Sequence, residues 1–482
     1  MSKAGTTPNG SSREISTSAD DLLALGNRHV TKGIGRLTEG ILAKGQGSYV
    51  EYEDGKRLLD FSTGIGVTCL GHCHPKVSEA AAKQCLTVVH AQCSIAFHRP
   101  YLELVERLLP VVPHPSLDSF FFWNSGSEAV EAAIKLARVS TGKQNIISMQ
   151  GSFHGRTYGA MAVTNSKTIY SEGVLPLMPG VFSIPYPYWH QYGLSPSTPS
   201  ATLVAQSLYQ LELLLAQRSA PRDTAAIIVE PLLGEGGYVQ APPEFLQGLR
   251  AICDKHDILL IVDEVQCGFA RTGKYFNIEY SGVRPDIMVI AKMQGLANGF
   301  PLSGVVSRKE LTDKMKPGSM GGTYAGNAVS CAAAVAVADA FKEENILANV
   351  QARYALPYLS YFPPLQRFTR SKELIAGLQA LRADPDVAPC ILDVRGTGLM
   401  VAVEFTSPSG PGADFDPLTR KESPKNLASR VSKACLARGM IILTTSAYEV
   451  MRFIPPLNIT AEDLKKGVDI FSEAVKQVVR EG

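Results

Sequence analysis

The sequence lacks the features expected of a membrane protein, a nucleic-acid-binding protein or a metalloprotein. It contains no run of about 18 apolar residues, so we expect no membrane span. Its 47 basic residues are interspersed with 45 acidic ones, which gives a net charge of +2. This charge argues against the strongly basic surface that is typical of nucleic-acid-binding proteins. The nine cysteines include no CxxC pair. We therefore expect free thiols in a reducing compartment and no metal site.

The first residues also lack a targeting pattern. Residues 1–20 have neither the apolar core of a signal peptide nor the Arg-rich amphipathic pattern of a mitochondrial presequence. We therefore expect residues 1–25 to form a disordered arm and the protein to be cytoplasmic.

The length of 482 residues and the 45% hydrophobic content predict a large core and more than one domain. Residues 26–74 contain a hairpin signal around Asp54-Gly55 and are expected to contribute to a small domain. Residues 75–335 alternate short apolar runs with helix-like stretches, which predicts a large domain with a mostly parallel sheet. Residues 336–482 mix strands and helices and are expected to form the rest of a smaller α+β domain.

Two charged residues each follow an apolar run at the predicted carboxyl edge of this sheet. Asp263 follows Ile-Leu-Leu-Ile-Val, and Lys292 follows Ile-Met-Val-Ile-Ala. Parallel strands end at one shared edge, where α/β proteins build their sites. A lysine amine and a carboxylate together suit pyridoxal phosphate, which needs a Schiff-base partner and a counter-charge for its ring nitrogen. The alternative is a salt bridge that caps two strands.

Four further segments follow predicted strands or carry glycine-rich turns. The turn Ser125-Gly126-Ser127 opens an amphipathic helix and could bind phosphate or act only as an N-cap. The segment from Gly151 to Arg156 offers rings for stacking and a guanidinium for a carboxylate, although His154 alone would be an ordinary turn histidine. The other two segments are Glu230 to Gly237, with Glu235 in its turn, and Met320 to Gly326, where Thr323 could donate to phosphate.

Together these segments resemble the motif series of class III, or ω-amino-acid, pyridoxal-phosphate-dependent aminotransferases. The similarity covers roughly residues 30 to 475 and is strongest to the bacterial-type 4-aminobutyrate aminotransferases. The motifs that carry it, in order, are GSYVEYEDGKRLLDFSTGIGV, GHCHP, NSGSEAVEAAIKLAR, SFHGRT, VEPLLGEGG, VDEVQCGFARTGK, PDIMVIAK, NGFPLSG, GGTYAGN and VRGTGLM. The resemblance implies an α/β protein of the PLP-dependent transferase fold type I. Its large domain would hold a mostly parallel seven-stranded sheet beside a smaller α+β domain.

The resemblance also implies the residues that bind pyridoxal 5'-phosphate. Lys292 would form the Schiff base and move the proton, and Asp263 would contact the ring nitrogen. Phe153 would stack on the ring and Gln266 would bond its phenolic oxygen. The remaining cofactor contacts implied are Ser125, Gly126, Ser127, His154 and Thr323. In the family the threonine reaches the neighbouring subunit's phosphate, which implies a homodimer with shared sites and leaves open a tetramer.

The substrates implied are small amino and keto acids in a ping-pong reaction, with 4-aminobutyrate as donor and 2-oxoglutarate as acceptor. Arg156 matches the position that meets the distal carboxylate, and Arg395 matches a second cation beside the cofactor. Glu235 matches a gate that pairs with Arg395 and swings away when the keto acid binds. Ile65 and Glu230 are also implied in substrate binding.

Other activities remain open at this point. They are another class III aminotransferase acting on ornithine, acetylornithine, diaminobutyrate or a broader range of amines, a decarboxylase or racemase using the same cofactor, and an inactive relative. Two departures from the family pattern motivate the last of these. Met293-Gln294 adds two residues after Lys292, which can span about 7 Å. Residues 354–370 place three prolines inside what would otherwise be one helix.

Both departures have two explanations. Our hypothesis is that they are retained intronic or mis-spliced sequence, and the alternative is that they are genuine surface insertions. Sequencing the mature transcript decides between the two, because a message that encodes both segments rules out the splicing explanation.

Overall fold

The computed structural model describes residues 18–291, 296–351, 370–406 and 426–481. Lys292 and the insertion Met293-Gln294 lie outside the described residues, as do nearly all of residues 354–370 and the predicted loop 407–419.

The strands follow the apolar runs of the sequence. They are β1 Leu42–Gln46, β2 Tyr49–Tyr52, β3 Arg57–Asp60, β4 Ser119–Trp123, β5 Asn145–Met149, β6 Val181–Ile184, β7 Thr224–Val229, β8 Leu232–Leu233, β9 Val239–Gln240, β10 Leu259–Asp263, β11 Ile287–Ile290, β12 Ser303–Ser307, β13 Ile391–Thr397, β14 Met400–Phe405, β15 Met440–Ile441, β16 Leu443–Thr445 and β17 Val450–Phe453.

The helical segments lie between these strands. They are α1 Ala19–His29, the single turn α2 Thr63–Gly66, α3 Pro75–Cys85, α4 Arg99–Leu108, α5 Gly126–Thr141, α6 Tyr158–Ala162, α7 Ser200–Gln217, α8 Pro243–His256, α9 Lys309–Thr312, α10 Ala328–Glu343, α11 Ile346–Val350, α12 Arg370–Ala383, α13 Leu427–Ala437 and α14 Ala461–Arg480. No helix among the described residues combines the length and the apolar character that crossing a membrane requires.

The large sheet has seven strands in the order β4-β12-β11-β10-β7-β5-β6. All neighbouring pairs are parallel except those of β12, which runs antiparallel to both β11 and β4. The α/β class, fold type I and the mostly parallel seven-stranded sheet are therefore confirmed. Since β4 runs in the same direction as β5, β7, β10 and β11, the segments that follow these strands meet at one edge.

Alternate residues of the central strands pack on opposite faces of the sheet. In β10, Leu260 and Val262 belong to the main apolar core, whereas Leu259 and Ile261 pack in a second cluster together with α5. Both faces are covered, which explains why the central strands are nearly continuous apolar runs. The sheet is thus a rigid support for the residues at its carboxyl edge.

A second group of strands joins the two ends of the chain. β1, β2 and β3 form a sheet with β15, in which Leu59 lies opposite Met440. β13, β14, β17 and β16 form a further antiparallel sheet. The apolar run MIILTT therefore divides between two sheets at the buried residue Ile442.

One boundary differs from the sequence prediction. The sequence predicts a disordered arm over residues 1–25, but residues 19–25 belong to helix α1 and Ser18 is its N-cap. The Ser18 hydroxyl accepts a hydrogen bond from the Asp21 N–H, and acidic residues lie in the first turn with Arg28 and His29 in the last. These caps and charges favour a helix even though none of its residues is buried. Residues 1–17 lie outside the described part of the chain.

Candidate active site

Five segments meet at the carboxyl edge of the large sheet. They follow β4, β5, β7, β10 and β11 and carry Ser125 to Ser127, Phe153 to Arg156, Glu230 to Glu235, Asp263 to Gln266, and Ala291. Asp263 lies opposite Val289 in the parallel pairing of β10 and β11. The strand that leads to Lys292 therefore runs directly beside the strand that ends in Asp263.

Asp263 is buried and held by two partners. Its Oδ1 accepts the Val265 N–H at 2.9 Å, and its Oδ2 lies 2.7 Å from His154 Nδ1. The His154 backbone N–H donates to Thr164 Oγ1, which fixes the turn that carries the imidazole. His154 Nε2 is buried without a hydrogen-bond partner among the described residues. His154 therefore orients the Asp263 carboxylate, a role that its predicted cofactor contact did not specify.

The turn before α5 is the predicted phosphate-binding turn, and the structure fixes it on both sides. Ser125 and Glu128 form a capping box, in which each side chain accepts the other residue's backbone N–H. Ser127 Oγ accepts the Arg156 N–H at 3.1 Å, which joins this turn to the one after β5. A Cβ on Gly126 would lie 3.3 Å from Val265 and 3.6 Å from Ala291. The start of α5 thus packs closely against the ends of β10 and β11, and its first N–H groups have no acceptor within the helix.

Gln266 lies under the turn that follows β7. Its side chain is buried, and its Oε1 has no hydrogen-bond partner in the described part of the chain. A Cβ on Gly234 would lie 2.6 Å from Gln266 Nε2. Glycine at position 234 is therefore what leaves room for this amide at the sheet edge.

Phe153 and Arg156 both contact a residue that the sequence analysis did not single out. The Phe153 and Tyr170 ring centroids are 5.1 Å apart with an interplanar angle of 71°, and Arg156 Cζ lies 4.6 Å from the Tyr170 centroid. Tyr170 comes from the 3-10 turn Thr168–Tyr170, whose sequence carries no motif signal. Its ring holds the stacking residue and the candidate carboxylate-binding arginine together.

Glu230 is bonded to the backbone of two turns of the site, and its predicted contact with substrate stays a prediction. It is buried, and its two carboxylate oxygens accept the Phe153 N–H at 2.8 Å and the Gly234 N–H at 2.9 Å. Burial raises the pKa of Glu230 to about 7, with the charge of Asp263 adding to the rise and His154 opposing it. Glu230 therefore fixes two turns of the site to each other.

The predicted pair between Glu235 and Arg395 is wrong for this structure. Within the described residues, Glu235 forms its ion pair with Arg452 of β17, and both side chains are buried. Thr445 Oγ1 lies 3.5 Å from Glu235 Oε2. The sequence analysis missed Arg452 because its strand, VMRF, is short and otherwise apolar, a pattern typical of a core strand.

Arg395 is bound to other groups of the protein. It donates through Nη1 to Glu404 and to Asp393 (3.2 Å), through Nε to the Gly237 carbonyl (2.9 Å) and through Nη2 to the Tyr188 hydroxyl (3.3 Å). Burial alone would raise the pKa of Glu404, but Arg395, with help from His190, lowers it to about 2. The Arg395–Glu404 contact is therefore an ionised pair, and together with Gly237 and Tyr188 it gives each guanidinium nitrogen of Arg395 an acceptor within the protein.

Ile65 lies in a backbone conformation that is rare for a β-branched residue. Its φ is +66°, and Thr63, Gly64 and Gly66 also have positive φ, so that α2 is a left-handed turn. Asp60 Oδ1 accepts the N–H groups of Ser62 and Thr63, and Thr63 Oγ1 donates to the Ile454 carbonyl at 2.8 Å. These bonds hold the strained turn and leave Ile65 exposed.

Thr323 lies in an exposed turn that precedes α10, beside the exposed ring of Tyr324. Its predicted contact with a phosphate of a neighbouring subunit stays a prediction.

The residues at the sheet edge fit pyridoxal phosphate. The start of α5 offers donors for a phosphate, Phe153 offers a ring, and Asp263 offers an oriented carboxylate for a protonated ring nitrogen. Buried Gln266 Oε1, which has no partner among the residues that the structure describes, offers a hydrogen-bond acceptor in the same place. The described residues include no group of three or more His, Cys, Asp or Glu that could hold a metal ion.

Comparisons with known proteins agree with this fit. A family model for class III aminotransferases matches residues 35–475. The chain is 37% identical over 453 residues to the 5-aminovalerate aminotransferase DavT of Pseudomonas putida, and this alignment covers 93% of this chain and 96% of the relative. It is also 34% identical over 455 residues to the 4-aminobutyrate aminotransferase GabT of Escherichia coli, and that alignment covers 94% of this chain and 97% of the relative.

A solved structure is similar over nearly the same length. The omega transaminase of Pseudomonas jessenii in complex with PMP has a TM-score of 0.83 at 25% identity, and the match covers 95% of this chain and 98% of that structure.

Proposed function

Because the chain belongs to the class III aminotransferases, which use pyridoxal phosphate, we propose that it moves the amino group of an ω-amino acid to 2-oxoglutarate. The donor proposed first is 4-aminobutyrate. The observation that carries this choice is the guanidinium of Arg156, held 4.6 Å from the Tyr170 ring that also contacts Phe153. An ω-amino acid has its carboxylate remote from its amine, and a cation near the stacking residue can meet that carboxylate.

The names of the relatives support the same substrate class. One is a 5-aminovalerate aminotransferase and another a 4-aminobutyrate aminotransferase. These donors differ by one methylene, which a pocket discriminates by about 10- to 200-fold. 5-Aminovalerate is therefore the second candidate donor.

The residues of the chain divide the work of the reaction. When bound, pyridoxal phosphate supplies the carbon that accepts the amine and a ring that withdraws electrons. The N–H groups at the start of α5, with Ser127, would hold the phosphate. Asp263, oriented by His154, would keep a proton on the ring nitrogen. Lys292, which lies outside the described residues, is assigned the amine that moves the substrate proton on the strength of the sequence.

We also propose that the protein acts as a homodimer. Exposed apolar side chains cluster in the segment that carries Leu86, Ile95 and Phe97, at 92%, 84% and 75% exposure. The Asn327 side chain donates to the Val89 carbonyl, and the rings of His90 and Tyr324 are 5.5 Å apart. This segment therefore adjoins the turn that holds Thr323. Exposed apolar surface of this kind is typical of a protein interface.

A cytoplasmic setting is proposed as well. The nine cysteines are free thiols, as expected in a reducing compartment.

One experiment tests the substrate proposal. Purified protein loaded with pyridoxal phosphate is given 4-aminobutyrate, 5-aminovalerate, ornithine, diaminobutyrate and a simple amine, each with 2-oxoglutarate, pyruvate or glyoxylate. We expect the highest kcat/KM for 4-aminobutyrate with 2-oxoglutarate, read as glutamate formed. Higher kcat/KM for ornithine, diaminobutyrate or the simple amine would contradict the proposal, and no dependence on keto acid would contradict transamination itself.

A further inference from the structure

The turn that presents Ile65 is held by one carboxylate. Asp60 Oδ1 accepts the N–H groups of Ser62 and Thr63 at 2.8 and 3.0 Å, and the Ser62 hydroxyl donates to the same oxygen at 2.6 Å. The other oxygen, Oδ2, lies 2.8 Å from His72 Nε2. Because Asp60 is buried and bonded on both oxygens, it fixes the turn to His72.

His72 is itself fixed by the hairpin of β1 and β2. Its backbone N–H donates to the Gly47 carbonyl at 2.8 Å, and its carbonyl accepts the Gly47 N–H at 3.0 Å. A Cβ on Gly45 of β1 would lie 2.8 Å from His72 Cγ. The imidazole ring therefore packs directly on the backbone of β1, and its position determines that of the carboxylate it contacts.

Asn298 bonds the two residues that precede His72. Its Oδ1 accepts the Leu70 N–H at 2.8 Å, and its Nδ2 donates to the Gly71 carbonyl at 3.0 Å. The side chain is buried, and the backbone has a φ of +44°, in the left-handed region where asparagine is enriched. Asn298 thus joins the segment after β11 to a part of the chain that is distant in sequence.

The segment that carries Asn298 continues to the predicted phosphate-binding turn. Further along it, Ser303 begins β12, and its hydroxyl donates to the Ser125 carbonyl at 2.7 Å. Ser303 is buried, and β12 pairs with β4, the strand that precedes this turn. Residues 298–303 therefore connect the predicted phosphate site to the turn of Ile65.

We propose that Asn298 is a positioning residue that sets where the turn of Ile65 lies relative to the phosphate of the cofactor. It thereby sets how well the site discriminates between donors of different chain length. The donor amine reacts at the cofactor, whereas Ile65 is predicted to contact the substrate. A fixed separation between the two favours one chain length, since one methylene is worth about 10- to 200-fold in such a pocket. This inference rests on the proposed function for the place of Ile65 beside the donor.

The test compares 4-aminobutyrate with 5-aminovalerate on the protein loaded with pyridoxal phosphate, as the ratio of the larger to the smaller kcat/KM. A loss of folded molecules lowers both values equally, so a variant that is merely destabilised keeps the ratio. Asn298→Gly removes both side-chain bonds and supplies a residue that adopts positive φ readily. We expect it to lower the ratio at least about threefold.

Asn458→Ala is the matched control. Asn458 Nδ2 donates to the Leu70 carbonyl at 3.0 Å, but the residue belongs to the segment after β17. Its loss removes a bond to the same residue and should leave the ratio within about twofold of the wild-type value.

His72→Leu tests the other end of the connection. It breaks the contact with Asp60 and should lower the ratio as Asn298→Gly does. Because both changes act on one connection, the double variant N298G/H72L should lower the ratio no further than the larger single change. Where N298G fails to fold, H72L measured against N458A decides the question in the same way.

An unchanged ratio in N298G, or an equal fall in N458A, overturns the proposal, and so does a wild-type ratio near one. The same comparison is made without turnover, as the ratio of the dissociation constants of butyrate and valerate measured by calorimetry. If neither donor is turned over while this binding ratio falls in N298G and not in N458A, the reaction assignment is wrong and the positioning role holds. If both donors are turned over while both ratios are indifferent to Asn298, the reverse is true.

Discussion

His154 Nδ1 lies 2.7 Å from Asp263 Oδ2, and both side chains are buried. The histidine thus acts on the cofactor site through the carboxylate, because it fixes the oxygen that would face the ring nitrogen. A buried hydrogen bond to a charged group contributes about 1.5–3 kcal/mol, so its loss is measurable.

We therefore predict that His154→Gln weakens the binding of pyridoxal phosphate about 10- to 100-fold. An absorbance titration of the apoprotein measures the dissociation constant. His74→Gln is the matched control, since His74 forms a similar pair with Glu344 at 3.0 Å outside the site. Equal losses in both variants would show that any broken His–carboxylate pair has this effect.

Replacing Arg156 should separate ω-amino acids from simple amines. We expect Arg156→Ala to lower kcat/KM for 4-aminobutyrate at least about tenfold, because the carboxylate loses a charged hydrogen bond. A simple amine donor has no carboxylate and should lose much less. Because Arg156 also contacts the Tyr170 ring, Arg156→Lys is compared, and it should restore part of the 4-aminobutyrate rate. A parallel loss for both donors would place Arg156 outside substrate recognition.

Two buried glutamates predict a particular pH dependence of stability. Burial raises the pKa of Glu230 and of Glu264 to about 7, above the ordinary value of 4.5. Between these values the folded protein binds more protons than the unfolded chain, so the free energy of unfolding falls as pH rises from about 4.5 to about 7. Their contribution is fully present below the unfolded pKa and is lost as pH passes the folded one.

Thermal unfolding of the variants measures this effect. Glu264→Gln, which cannot ionise, should have a flatter dependence of Tm on pH between 5 and 8 than the wild type, with the difference smallest at pH 5. Glu230→Gln should behave similarly but also lower kcat, because the amide cannot accept both backbone N–H groups. An unchanged pH slope in both variants would show that these carboxyl groups titrate alike in the folded and unfolded chains.

A charge on the exposed apolar segment should disrupt the proposed dimer. Ile95→Asp places a carboxylate at a position that is 84% exposed in the single chain, and we expect light scattering after gel filtration to show a shift toward monomer. Tyr209→Asp, at an exposed aromatic residue of α7, serves as the control and should leave the mass unchanged. A wild type that is already monomeric would contradict the dimer proposal.

The sequence predicted the sheet well because its central strands are nearly continuous apolar runs that end in polar turns. Asp263 and the turn at Ser125 to Ser127 follow from that pattern, since parallel strands must end together. The partner of Glu235 could not be predicted in the same way. Arg395 and Arg452 share a row of one sheet. In the structure Glu404 and Asp393 bind Arg395, and Glu235 binds Arg452.

Tyr170 escaped prediction for another reason. It belongs to an irregular segment between α6 and β6, where neither a period of two nor one of 3.6 exists to indicate a face. Helix α1 was missed because it buries none of its residues, so that the cap at Ser18 and the order of charges are the signals that favour it. Composition and periodicity therefore do not predict the positions of residues that are fixed by side-chain contacts or by helix caps.

The left-handed turn at Thr63 to Gly66 separates the shape of the backbone from the identity of the side chain at position 65. A left-handed residue other than glycine costs about 1–2 kcal/mol, and here Asp60 and the Ile454 carbonyl hold the turn through bonds that do not involve the side chain at position 65. Ile65→Gly should therefore keep the backbone shape while it removes the exposed side chain. Position 65 is thus a place where single substitutions change the exposed side chain without reshaping the scaffold.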